Sequence, residues 1–84
     1  MNETNIEFDY SKLKGRIVEK YDMGGTSKLA NEVGMSYRLL LAKLSNARHF
    51  TQHDIYSICK ALDITDVNEY FFKVKWIENY TKEN

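Results

Sequence analysis

Residues 24–48 read GGTSKLANEVGMSYRLLLAKLSNAR. Two short helices that meet steeply across a tight turn need a small residue where they touch, a glycine at the turn, an apolar residue after it, and apolar anchors further on. Ala30 is the small residue, Gly34 stands four positions later, Met35 follows, and Leu40 and Leu44 make an i, i+4 pair. The stretch predicts one helix over about 26–33, with Leu29, Ala30 and Val33 as its buried stripe and Gly34 as its stop. Ser36 is a suitable N-cap for a second helix over about 37–46, which Asn46-Ala47 ends.

Upstream, Leu13, Ile17 and Tyr21 lie at i, i+4 and i+8 and predict a helix from Asp9 or Ser11, either of which can cap it, to about Tyr21. Gly15 inside it costs about 1 kcal/mol relative to alanine, and Gly24-Gly25 breaks the chain after it. Downstream, Thr51 followed by Asp54 has the form of a capping box. Ile55, Ile58, Cys59 and Leu62 then keep helical spacing, and this is the strongest periodic signal in the chain. Asp66 with Glu69 opens a fifth helix carrying Val67, Tyr70, Phe71 and Val74. The same segment also alternates Phe72, Val74 and Trp76 with Lys73 and Lys75, which is a strand pattern. The fold expected is all-α with five helices: a flexible lead-in over 1–8, a helical domain over 9–72, and a C-terminal extension over 73–84 readable as helix or strand.

Composition excludes several classes. At 84 residues the chain makes one domain with a modest core. It has no proline and only four glycines, which disfavours a turn-rich β fold. Cys59 is the sole cysteine, so no intrachain disulfide forms, which fits a cytoplasmic home. The N-terminal MNETNIEFDY lacks the basic and apolar regions of a signal peptide, and no apolar run approaches membrane-spanning length. The formal net charge is zero, which argues against a nucleic-acid partner. The distribution argues back. Residues 27–60 carry Lys28, Arg38, Lys43, Arg48 and Lys60 against Glu32 and Asp54, a local +3, and hold His49 and His53 as well.

Residues 9–72 resemble the Cro/C1-type helix-turn-helix family, in particular short phage repressor-like proteins of Gram-positive bacteria. The pieces that carry the resemblance are FDYSKLKGRIVEKY, KLANEVGMS, KLSNAR, FTQHDIYSICKALDI and NEYFF. It implies a lambda-repressor-like five-helix fold. It also implies a transcriptional repressor, cytoplasmic in a bacterial cell, that binds a palindromic operator as a homodimer with its third helix in the major groove. This chain departs from the family at three places. LLLA at 39–42 stands where the outer face is usually polar, Lys43 where an apolar residue is common, and Thr26 where glutamine is common.

At about 100° per residue, with Leu40 facing the core, Arg38, Leu41, Ala42 and Ser45 form the outer face of the third helix and Tyr37 sits at its border. Tyr37, Arg38, Leu41, Ala42 and Ser45 are therefore the expected base contacts. Arg38 suits a bidentate guanine pair, and Leu41 and Ala42 suit a thymine methyl. Thr26, Ser27 and Lys28, at a helix N-terminus, and Ser36, Lys43, Asn46, Arg48 and His49 are the expected phosphate contacts. The apolar surplus of the C-terminal segment, Phe72, Trp76, Ile77 and Tyr80, is the expected dimer interface.

No enzyme, cofactor or metal is expected. His49 and His53 are split by the helix start at Thr51, no third ligand has motif spacing, and Cys59 reads as a small core residue. Gly24-Gly25 lacks the Lys-Ser/Thr that follows a phosphate loop. The competing function is a protein-binding module on the same scaffold, such as an antirepressor or a phage inhibitor of a host protein, to which neutral charge and the apolar third helix point.

Overall fold

The apolar stripes of five short helices turn toward a common core in the computed structural model of the protein, which describes residues 6–75. The elements run β1 (Glu7–Phe8), α1 (Ser11–Tyr21), α2 (Gly25–Val33), α3 (Tyr37–Leu44), α4 (Gln52–Leu62), α5 (Val67–Phe71) and β2 (Val74–Lys75). The fold is the expected mostly helical one, with a two-stranded ribbon added at its ends. No helix among the described residues is long and apolar enough to cross a membrane.

Each helix starts and stops where local chemistry allows. Ser36 Oγ accepts from Leu39 N at 3.1 Å and opens α3. Thr51 Oγ1 accepts from Asp54 N at 3.0 Å while the Asp54 carboxylate accepts from Thr51 N at 2.9 Å, a reciprocal capping box at α4. Asp66 Oδ1 accepts from Glu69 N at 3.3 Å and opens α5. Gly34 adopts φ +75° after α2, a conformation that costs glycine little, and lets Met35 N donate to Ala30 O at 2.9 Å. At α1 the cap differs from expectation. Tyr10 holds the N-cap position without a side-chain bond, and Asp9 Oδ1 accepts instead from Ser11 N and Ser11 Oγ just outside the helix.

Leu13, Ile17, Leu29, Leu40, Ile58, Leu62 and Phe71 are the largest fully buried side chains. They come from every helix, and each contributes about 1.5–3 kcal/mol by leaving water. Ile55 and Cys59, half-buried, pack against them. Burial pushes the Cys59 thiol up from its ordinary pKa, as befits a small apolar filler. Phe50 closes the core from below with edge-on contacts to Tyr10 and Phe71, ring centroids 5.2 Å away in each case.

The expectation of a flexible lead-in through residue 8 fails at its end. Glu7–Phe8 pair antiparallel with Val74–Lys75, Glu7 opposite Lys75 and Phe8 opposite Val74. Phe8 packs edge-on against Phe72 at 5.9 Å, so an aromatic anchor holds the strand onto the domain. The packed unit thus runs past both ends of 9–72. Of the two readings of the C-terminal extension, strand holds at Val74–Lys75; residues 76–84 lie outside the described residues.

Candidate nucleic-acid interface

α2 and α3 are the two short helices expected over this stretch, joined across the Gly34 turn. α3 ends at Leu44, two residues earlier than its spacing predicts, because Ser45 to Arg48 turn back on the helix: Ala47 N and Arg48 N both donate to Ala42 O, at 2.9 and 3.2 Å. Leu40 and Leu44 are buried against α2 and the core. The opposite side of α3 faces outward. Tyr37 is 49 % exposed and Leu41 42 %, and Arg38 and Ser45 are exposed beside them. Ala42 is half-buried. The helical wheel therefore places four of the five expected base-contact residues on open surface and the fifth at its edge.

The N-terminus of α2 lies next to this face. Gly24, at φ +72°, holds its N-cap position and offers no side-chain acceptor, so the leading N–H groups of α2 have no capping side chain. Such a terminus favours a negative charge. Thr26 is half-buried there and Ser27 and Lys28 are exposed, with Lys28 Nζ 3.4 Å from the Tyr21 carbonyl oxygen at the end of α1. Ile17, Val18, Met23, Thr26, Ser27 and Tyr37 help to line an open groove of about 490 Å³ where α1, α2 and α3 meet. Val18, 60 % exposed, and Met23, 87 % exposed, stand over it.

Two of the expected phosphate contacts are engaged inside the protein. Lys43 is 6 % exposed, and its ammonium donates to the Asp54 carboxylate. The lysine lies on the flank of α3 that faces the start of α4, and the acidic member of the capping box meets it there. Burial pushes Asp54 up. The hydrogen bonds from Lys43 and from the Thr51 backbone and hydroxyl outweigh that and hold its carboxyl below the ordinary value. Asn46, at φ +69°, is taken up by β1. Its Oδ1 accepts from Phe8 N at 2.9 Å and its Nδ2 donates to Phe8 O at 3.0 Å. Its oxygen and one of its two amide hydrogens are engaged, which leaves a single N–H for an outside partner. Ser36 keeps only its hydroxyl proton for an outside partner, because its oxygen caps α3. Arg48 and His49 are exposed beyond the end of α3.

The spacing of 24–48 does not reveal Asp54 or Phe8, the partners that hold α3 from behind. The capping box already accounts for Asp54, and a backbone partner such as Phe8 leaves no residue-type signal. Lys43 at a position where apolar residues are common was the available clue. Another pair across α1 and α2 is equally hidden: the Tyr21 hydroxyl donates to Glu32. Burial first, then this carboxylate, pushes the Tyr21 pKa up to about 12.

Of the expected interface residues, Phe72 is exposed beside Phe8. Trp76, Ile77 and Tyr80 lie outside the described residues. A comparison with curated proteins gives no match. A comparison with family-wide sequence patterns matches residues 6–74, from the first described residue to the last strand. The chain belongs to the DUF739 family, whose description reads "Protein of unknown function".

Proposed function

We propose that this protein is a sequence-specific DNA-binding transcriptional regulator of the Cro/C1 helix-turn-helix kind, a phage-type repressor rather than an enzyme. α3 enters the major groove of a palindromic operator, and a homodimer in the bacterial cytoplasm is the binding form. The observation that carries the reading is the two-sidedness of α3. Its rear is locked by Leu40, Leu44 and the buried Lys43–Asp54 pair, while Tyr37 and Arg38 stand exposed in its first turn. Recognition helices touch base edges with their N-terminal residues. The buried pair cancels one positive and one negative charge, so residues 27–60 keep Lys28, Arg38, Arg48 and Lys60 against Glu32, still +3. The uncapped start of α2 suits a phosphate beside the groove.

Capture from a pool of random duplexes at two salt concentrations tests this. One palindrome should be enriched at both concentrations, and more sharply at the higher, where non-specific binding falls. Recovery of no preferred sequence would remove the reading.

The open groove with Val18, Met23 and Tyr37 favours a second reading, a protein-binding module such as an antirepressor. That reading gains if the duplex pool yields nothing while Met23→Asp abolishes binding to a protein partner.

A further inference from the structure

The outward side of α3 is short of hydrogen-bonding groups. Ser45 Oγ donates to Ala42 O at 3.0 Å. Lys43 is turned inward to Asp54, and the Asn46 amide is held by Phe8 through its oxygen and one N–H. Between residues 37 and 46, Tyr37 and Arg38 are the side chains with polar groups that have no intrachain partner among the described residues. Both stand in the first turn. The next turn presents carbon, and its exposed member is Leu41. Exposed leucine on the helix that exposes Arg38, in a chain that also exposes Lys28 and Arg48, fits a partner that is anionic and carries an apolar point. In the major groove one base-edge group is apolar, the C5-methyl of thymine.

We propose that Leu41 is a specificity-determining residue of this protein, beside Arg38, and that it reads thymine C5-methyl groups. The proposal rests on the DNA-binding reading above. Arg38 and Leu41 are three residues apart and are neighbours on the helix surface, about 5–6 Å between Cβ atoms. Successive bases rise about 3.4 Å along a strand. The thymine therefore lies one or two base pairs from the group that Arg38 meets. Ala42, half-buried and with its carbonyl engaged, lines the edge of the same contact.

Uracil tests the proposal because it keeps every hydrogen-bonding group of thymine and lacks the methyl. The enriched duplex is remade with uracil at each thymine in turn, and binding is measured for the wild type and for Leu41→Ala, Leu41→Met and Arg38→Ala. At one or two positions the wild type should bind the uracil duplex about fourfold more weakly, the loss set by about 0.8 kcal/mol for one buried carbon. Leu41→Ala should bind both duplexes equally, whereas Leu41→Met, which keeps apolar reach, and Arg38→Ala should retain the difference. Leu41 is exposed, so circular dichroism of the variants should match the wild type. Equal wild-type binding to thymine and uracil duplexes overturns the methyl contact and leaves DNA binding standing. A thymine preference that survives Leu41→Ala assigns the contact to another residue and overturns the role of Leu41. Enrichment of no duplex overturns both proposals together.

Discussion

At the scale of single residues, Arg38 and Lys43 show why exposure decides a role that sequence leaves open. Both are cations on α3, five positions apart, and the local charge count treats them alike. Arg38 stands in solvent and Lys43 is sealed against Asp54. On the proposed reading, Arg38→Ala should lower affinity for the specific site by about 1–3 kcal/mol and affinity for random DNA much less. Gel-shift titrations on both duplexes measure this, and equal losses would make Arg38 a phosphate contact. Lys43→Gln should behave otherwise. It leaves the slope of log affinity against log salt unchanged, because no phosphate contact is lost. It destabilises the fold by about 1.5–3 kcal/mol, because the Asp54 carboxylate loses a charged hydrogen-bond partner. Asp54 also sets an acid limit. Its folded pKa lies below the ordinary value of 3.8, so its stabilisation is complete above that value and is lost as pH falls through it toward the folded pKa. Urea midpoints from pH 6 down to pH 3 should fall for the wild type and fall less for Asp54→Asn; parallel curves would refute the assignment.

At the scale of elements, the helices were legible because their stripes and caps are local signals. Gly34, Ser36, the Thr51–Asp54 box and Asp66 all stand at helix ends. The ribbon was half-legible. Alternation over 72–76 raised a strand, yet nothing local to Glu7–Phe8 marks its partner, since pairing of Phe8 with Val74, 66 residues away, is a tertiary event. The open outer face of α3 follows from a helical wheel, whereas the burial of Lys43 and the engagement of Asn46 depend on where α4 and β1 arrive. Gly25 is a further case, read from the sequence as a breaker. It is the first residue of α2, and a Cβ there would lie 2.8 Å from Ile17 Cγ2 and 3.1 Å from the Ile17 carbonyl oxygen. The glycine sets how closely α1 and α2 approach. Gly25→Ala should therefore push the helices apart and cost about 1–3 kcal/mol. Gly15→Ala, where a Cβ meets nothing within 4 Å, should instead stabilise the fold by about 0.5–1 kcal/mol. Thermal melts of the two variants should shift in opposite directions, and a shared direction would contradict this packing.

At the scale of the whole molecule, one reading head covers too few base pairs to select a site in a genome, which is why the proposal includes a homodimer. Sedimentation of the protein with a palindromic duplex should give two protomers per duplex, and one protomer per duplex would end that part of the proposal. The ribbon bears on a different property of the molecule. Because Glu7 lies opposite Lys75, the two ends of the described residues are adjacent, about 5.5 Å between Cα atoms for a hydrogen-bonded antiparallel pair. Residues 6–75 thus form a nearly closed loop. In the protein shortened to residues 6–75, a peptide linker of about three or four residues from Lys75 back to Ile6 would complete the ring. New termini could then open at Asp22–Met23, an exposed turn between α1 and α2. Such a circular permutant should unfold cooperatively with a native helical spectrum. It would carry its new ends beside the α2 N-terminus, where a fluorophore or crosslinker would report directly on whatever occupies that groove.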